Sequence, residues 1–214
     1  FYYLIIKSKI MKMTIKTGLT AIALLLCVNL SAQEKPVTFG VKGGLNLSNM
    51  TQDLKGDAKV GFNLGVTMDY ALQNNFYLLT GLSYSLEGTK EDEVKLNLSY
   101  LKLPIHFGYK LPVDNNTKIV FHAGPYLAYA LDGKYKSGGV SIDAFDDDVE
   151  EASGFKLKRF DMGLGLGIDA EFGQLCVGLN CDLGLTNLID VKDSEFGDPK
   201  GKNTNAALTI GYKF

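Results

Sequence analysis

Beyond Gln33 the chain holds no helical stripe of useful length, and its apolar residues recur at every second position through eight runs. The first is Val37–Leu47, the second Val60–Leu72 and the third Phe76–Leu86. The others are Leu96–Leu111, Ile119–Leu131, Phe160–Phe172, Leu175–Leu188 and a last run ending at Phe214. Period two places one face of each run in a single environment, so the pattern predicts strands throughout. In the fourth run the apolar parity switches between Tyr100 and Leu101, which predicts a β-bulge there.

The connections sort by parity. Those after runs two, four and six are tight: Gln73 to Asn75, Pro112 to Thr117, and Gly173-Gln174. Those after runs one, three, five and seven are long and polar: Ser48 to Lys59, Glu87 to Lys95, Asp132 to Arg159, and Ile189 to Asn203. An even strand count with short turns on one rim and long loops on the other is the arrangement of an outer-membrane barrel. The expected fold is therefore all-β: an eight-stranded, antiparallel, up-and-down transmembrane β-barrel of the smallest size class.

The face opposite the apolar one carries Lys42, Asn46, Asn63, Asp69, Glu87, Lys102, His106, Lys110, His122, Asp161, Asp169, Glu171 and Asp182, interleaved with many glycines. In an eight-stranded barrel this face is the lumen, which is just wide enough for side chains to fill. Glycine makes room for a long charged residue reaching across, so a filled interior without an open pore is expected. A soluble lipocalin-like barrel binding a small apolar ligand is the alternative; it needs the apolar faces inward and the charged faces outward. Glycine-rich polar faces disfavour it, because a solvated face has no need of so many small residues.

Trp is absent, so any interfacial belts must be Tyr and Phe. Phe39, Tyr70, Phe76, Phe107, Tyr109, Phe121, Phe172, Tyr212 and Phe214 fall toward the short-turn rim. Tyr84, Tyr100, Tyr129 and Phe160 fall toward the other.

At the N-terminal side, Lys12 and Lys16 precede an apolar run from Leu19 to Val28, and Ser31-Ala32 offers a small-residue cleavage site. Residues 11–32 read as a signal peptide, 1–10 as an extension upstream of a start at Met11 or Met13, and 33–214 as the barrel domain. Leu26 before Cys27 argues against lipid attachment. Cleavage after Ala32 removes four lysines and no acidic residue, leaving 18 basic and 24 acidic side chains. That balance argues against nucleic acid as a partner. Cys176 and Cys181 point to opposite faces of one strand, too far apart for a disulfide.

Specific segments carry a resemblance: Tyr100-Leu101-Lys102-Leu103-Pro104, Gly124-Pro125-Tyr126-Leu127, Asp161-Met162-Gly163 and the terminal Gly211-Tyr212-Lys213-Phe214. Together they resemble the PorT-like small outer-membrane β-barrel family over residues 37–214. The resemblance implies a barrel fold and an outer-membrane location in a double-membraned bacterium. It also implies that the terminal strand, with Tyr212 and Phe214, is the signal read by the barrel-assembly machinery. It implies no activity. The partners expected are outer-membrane lipid, that machinery, and an extracellular or periplasmic protein.

Candidate chemistry is sparse. If the hairpin at Pro112–Thr117 pairs about residue 114, His106 and His122 lie directly opposite in the lumen, with Asp169 and Glu171 at similar depth. Two imidazoles beside a carboxylate are a candidate metal site; the ordinary alternative is a hydrogen-bonded plug. Asp143, Asp146, Asp147, Asp148, Glu150 and Glu151 cluster in the longest loop, where a hard cation is the candidate ligand and a solvated loop the alternative. Barrel enzymes place catalytic groups near the outer rim, whereas both histidines belong to the other end, so no enzyme and no cofactor is expected. Gly163-Leu164-Gly165-Leu166-Gly167 superficially matches a dinucleotide loop, but no helix follows it. Pro104 and Pro125 each remove a ladder hydrogen bond and predict a gap between strands four and five. The expected role is structural or interactive, at the cell surface or in envelope assembly and secretion.

Overall fold

The computed structural model describes residues 36–52, 56–91, 94–138, 140–146, 155–191 and 200–214. The segments read as upstream extension and signal peptide lie outside these residues, as do Asp147, Asp148, Glu150 and Glu151. The strands are β1 (Val37–Gln52), β2 (Asp57–Ala71), β3 (Phe76–Glu91), β4 (Val94–Pro112) and β5 (Thr117–Ser137). They continue as β6 (Val140–Asp143), β7 (Phe155–Leu157), β8 (Phe160–Phe172), β9 (Leu175–Gly184), β10 (Ile189–Val191) and β11 (Gly201–Lys213).

Eight of them close on themselves. The ladder runs β4, β3, β2, β1, β11, β9, β8, β5, and β5 returns to β4, every pair antiparallel. A closed barrel leaves no sheet edge unpaired. The last strand meets the first at Gly40↔Lys213, and the amide of Phe214 donates to the carbonyl of Phe39 at 2.8 Å. The barrel thus closes between its last strand and its first. The tight turns use left-handed backbone where they must: Asn74, Asn75 and Gly173 have φ of 53°, 66° and 60°. At the other rim the pairs β1–β2 and β3–β4 run past their predicted ends, so the connections after β1 and β3 shorten to a few residues, whereas β9 stops at Gly184, short of the predicted Leu188.

The faces fall as the alternation predicts. Leu45, Leu64, Phe107, Leu164, Leu179, Leu208 and Ile210 are all exposed on the outer wall, whereas Lys102, Lys110, Asp69 and Glu171 are buried inside. This is the reverse of what the lipocalin-like alternative requires. All nine aromatics assigned to the short-turn rim are exposed outward.

Two expectations need correction. Tyr100 does not join the outer belt; it is 0% exposed inside the barrel. On β4 the even residues point inward without interruption, from Leu96 through Tyr100 and Lys102 to Lys110. The parity switch expected between Tyr100 and Leu101 is a change of interior chemistry, from apolar above to charged below. The irregularity lies across the ladder, where Ser99 faces Asp132 but Tyr100 faces Ala130, leaving Leu131 of β5 as the extra residue.

The apolar interior above Lys102 is a small core of its own. Met50, Leu96, Leu98, Tyr100, Ala128 and Ala130 from the barrel pack with Ala144, Leu157, Leu188 and Ile189 from the long connections. β7 pairs with β10 over this cluster, and Leu157 donates its amide to the Ala144 carbonyl at 3.1 Å. Loops that look polar in sequence thus contribute the few apolar residues that close the outer end of the barrel.

Candidate functional site

The interior is the chemically richest region, and it is built in tiers by the alternation of each strand. At the short-turn end, Asp69 of β2, Lys110 of β4, Glu171 of β8 and Lys213 of β11 form a closed square. Lys110 lies 2.7 Å from Asp69 and 3.0 Å from Glu171, and Lys213 lies 2.5 Å from each carboxylate. Each cation has two carboxylates and each carboxylate two cations, the geometry in which buried charges offset their desolvation.

One tier up, Lys42 holds Asp169 at 2.9 Å, and His122 Nε2 stands 3.7 Å from the same carboxylate. His106 and His122 approach Nδ1 to Nδ1 at 2.9 Å. Their ring centroids are 5.1 Å apart with 22° between planes. A nitrogen pair in contact at that centroid distance places the rings edge to edge rather than face to face. The two Nδ1 atoms therefore address each other, one protonated and one bare, as an N–H···N bond.

The histidines are not directly opposite. Their hairpin pairs Gly108 with His122, one residue away from the assumed centre, because the turn is centred on Asn115. The side chains meet diagonally instead. Of the four residues proposed as one cluster, His106, His122 and Asp169 come together, whereas Glu171 belongs to the square below. Among the described residues no group of three or more His, Cys, Asp or Glu is arranged to hold a metal ion.

Above the histidines, Lys102 bridges Glu87 and Asp182 at 2.8 Å each. Glu87, 0% exposed, accepts further bonds from Ser85 at 2.6 Å and Asn203 at 2.5 Å. Tyr126 donates to Asp161 at 3.2 Å and lies under the Lys102 ammonium, 4.6 Å from the ring centroid. The glycines provide the space: a Cβ at Gly165 would stand 2.6 Å from His106 Nε2, and one at Gly167 would stand 2.5 Å from His122 Nε2. The lumen nevertheless keeps a cavity of about 160 Å³ against the small residues of β2 and β3, bordered by Lys42, Asn63, Gly65, Gly81 and Ser83. The filled interior expected from sequence is therefore incomplete on that side.

Several interior residues escaped the sequence reading: Ser85, Tyr126, Asn203, Asn205 and Lys213. Parity would have found most of them, since Asn203, Asn205 and Lys213 alternate with the outward Leu208, Ile210 and Tyr212. Pro104 and Pro125 behave as expected: ladder pairing lapses between Pro104↔Tyr126 and Phe107↔Ala123. Thr80 compensates from the other side by donating its hydroxyl to the Pro104 carbonyl at 2.7 Å. Cys176 faces the lumen, Cys181 lies on the opposite parity, and both are free.

In the longest loop only Asp143 and Asp146 of the acidic cluster are described. Asp143 is engaged locally, accepting from the Phe145 amide at 2.9 Å. At the other rim, Asp114 accepts from the amides of Asn116 and Thr117 at 2.7 and 2.8 Å. The Asn116 amide, followed by the Thr117 contacts, holds its carboxyl below the usual carboxylate range.

A family model described as an outer membrane protein β-barrel domain matches residues 31–190. Among solved structures, a major outer membrane protein from Thermus thermophilus is 14% identical, with 84% of this chain and 100% of that one covered, at a TM-score of 0.51. Neisserial surface protein A is 12% identical over 84% and 100% of the two chains, at a TM-score of 0.49. The attachment invasion locus protein of Yersinia pestis is 14% identical over 84% and 100%, at 0.44. At these identities the likeness is one of fold. No curated protein matches the sequence.

Proposed function

This chain belongs to the outer membrane protein β-barrel domain family and sits in the outer membrane, and on that footing we propose that it is a non-conducting barrel whose exposed strand ends and loops form an interaction surface. One observation carries the reading: the bore is crossed by paired charges at the Lys102 and Lys110 levels and is overlain by the apolar cluster of Met50, Leu98, Tyr100 and Leu188. A solute path would have to separate the pairs Lys102–Glu87 and Lys110–Asp69. What remains available for recognition is outside, on the long connections. Reconstitution in planar bilayers tests this, with a baseline free of stepwise conductance expected; porin-sized steps would overturn it. A photo-crosslinker at Val140, on the exposed β6, is expected to give adducts on intact cells that the same group at Val113, on the short-turn rim, does not.

The proposal includes no reaction. The two imidazoles, the usual general bases, are engaged with each other in the lumen. Residues 11–32 are taken as a cleaved signal peptide, so N-terminal sequencing of the mature protein should begin at Gln33. The barrel-assembly machinery is the proposed reader of Tyr212 and Phe214, both outward on the terminal strand. Any finer kinship, to the PorT-like barrels, rests on the four sequence segments quoted above.

A further inference from the structure

Asp161 is a carboxylate of the bore that no cation holds among the described residues. It is fully buried; its Oδ2 accepts from the Tyr126 hydroxyl at 3.2 Å, and its Oδ1 has no partner. The cations around it are committed elsewhere. Lys102 bridges Glu87 and Asp182. Arg159, two residues up the strand, lies over the Phe145 ring and donates to the carbonyls of Ala130 and Leu131. Lys59 gives its ammonium to the Glu87 carbonyl at 3.0 Å. At this level three carboxylates, Glu87, Asp161 and Asp182, therefore meet two ammoniums, Lys102 and Lys59, and one negative charge is left over. The tiers below carry no such excess: the square balances two against two, and Lys42 balances Asp169.

The hydrogen bonds fall short in the same direction. Asn203 and Asn205 are also buried, and the side-chain oxygen of each is without a partner. Their orientation is fixed by the amide nitrogens, since Asn203 donates to Glu87 and Asn205 to Asp182. What each leaves over is an acceptor with nothing to accept. Tyr100, whose charged neighbours are Asp161, Glu87 and Lys102, adds a buried hydroxyl without a partner. A buried polar atom without a partner points to a bound ion or water, and an unpaired carboxylate at this depth is costly unless something neutralises it. A cation meets both deficits at once. Oxygen ligands select a hard cation, and a single excess charge selects a monovalent one. No three carboxylates among the described residues are arranged for a divalent ion. The luminal cavity reaches this level at Lys102, Tyr126 and Asn205.

We propose that this level of the bore is an alkali-cation site, with Asp161 Oδ1 as its one charged ligand and the side-chain oxygens of Asn203 and Tyr100 as neutral ones. The cation joins β4, β8 and β11 beneath the apolar cluster that closes the outer end. An ion held by the folded barrel alone stabilises it by mass action. The site rests on the buried bore and does not depend on an outside partner.

The test compares the full chain, folded in detergent, in sodium, potassium and choline chloride. Equal ionic strength removes general screening. At ten times the dissociation constant, the equilibrium constant for unfolding should be roughly tenfold lower in an alkali salt than in choline chloride. Asp161→Asn keeps the volume, removes the charge and should abolish the difference. Lys118→Gln, at the opposite rim, should retain it. Crystals grown in rubidium chloride should show an anomalous peak at Asp161 Oδ1; a salt effect abolished by D161N without that peak identifies sodium as the occupant. Wild type indifferent to all three salts, with no rubidium peak, would overturn the proposal and leave a proton or an ordered water on Asp161. So would a salt effect that D161N retains. If D161N does not fold, the wild-type salt comparison and the rubidium peak are read together, and an effect in neither overturns the site. A heat-dependent gel shift, recorded on every sample, shows that the barrel is folded in each.

Discussion

Lys213 reaches Asp69 at 2.5 Å, linking the last strand to the second across the interior of the barrel. With Lys110 and Glu171 it completes a square in which no charge is left single. Removing Lys110 leaves two buried carboxylates sharing the single cation of Lys213, one negative charge in excess. Lys110→Met should therefore destabilise the barrel by about 3–5 kcal/mol. Denaturant unfolding in lipid vesicles checks this, and a loss below about 1 kcal/mol would mean that water reaches the square. The double variant K110M/D69L should cost less than the two single changes added together.

The glycines of β8 make a steric prediction. Gly165→Val places two methyl groups where His106 lies and should cost about 1–3 kcal/mol by overpacking. Adding His106→Ala should recover part of that loss, because the clash is with that ring. If the second change adds to the damage instead, the glycine serves the backbone rather than the neighbour.

The imidazole pair predicts opposite tautomers. His122 Nε2 points toward Asp169, so we expect His122 to carry its proton on Nε2 and His106 on Nδ1, donating to His122 Nδ1. Nitrogen-15 shifts of the two rings distinguish the four cases. Zinc titration should leave these shifts unmoved, because each Nδ1 is engaged by the other; a zinc-dependent shift abolished by H106A with H122A would establish a metal site.

Asp114 predicts an acid-sensitive turn. Its carboxyl is held below the ordinary 3.8 by the amides of Asn116 and Thr117. A depressed folded-state value means that the carboxylate's contribution is present above 3.8 and lost as pH falls through the lower folded value. Amide exchange at Asn116 and Thr117 should accelerate in that acid range. Asp114→Ala should show the faster exchange at every pH, with the barrel strands unaffected.

The terminal residue predicts an assembly effect. Tyr212 and Phe214 meet edge to face at 5.6 Å on the outer wall. Phe214→Ala should lower the fraction of heat-modifiable barrel formed in cells more than it lowers the stability of barrel already formed in vitro. Equal losses in both would remove the case for a recognition signal.

The assignment of faces was legible in the sequence because it is local: a strand's period of two sends each side chain to one side whatever it pairs with. Thirteen polar residues read as interior from alternation alone lie on inward parity, Lys42 and Asp182 included. Register was less legible. A shift of one residue in the turn centre separates directly opposed histidines from the diagonal contact observed, and the Pro112–Thr117 segment accommodates either. Tyr100, Leu98 and Leu96 were misread for another reason. Alternation tells which residues share a face, but an apolar stretch on the inward face looks like a change of face unless something apolar is known to cover it.

From the sequence alone follow the strand count, the up-and-down order, the apolar outer wall and the charged bore, since all depend on spacing along one chain. The tertiary structure decided the rest. It determined that Lys213 completes a four-charge square, that two imidazoles meet Nδ1 to Nδ1, and that Ala144, Leu157 and Leu188 return to cap the bore. Each of these depends on which residues of distant strands stand at the same height, and that is set by closure of the barrel and its register, which no single strand contains.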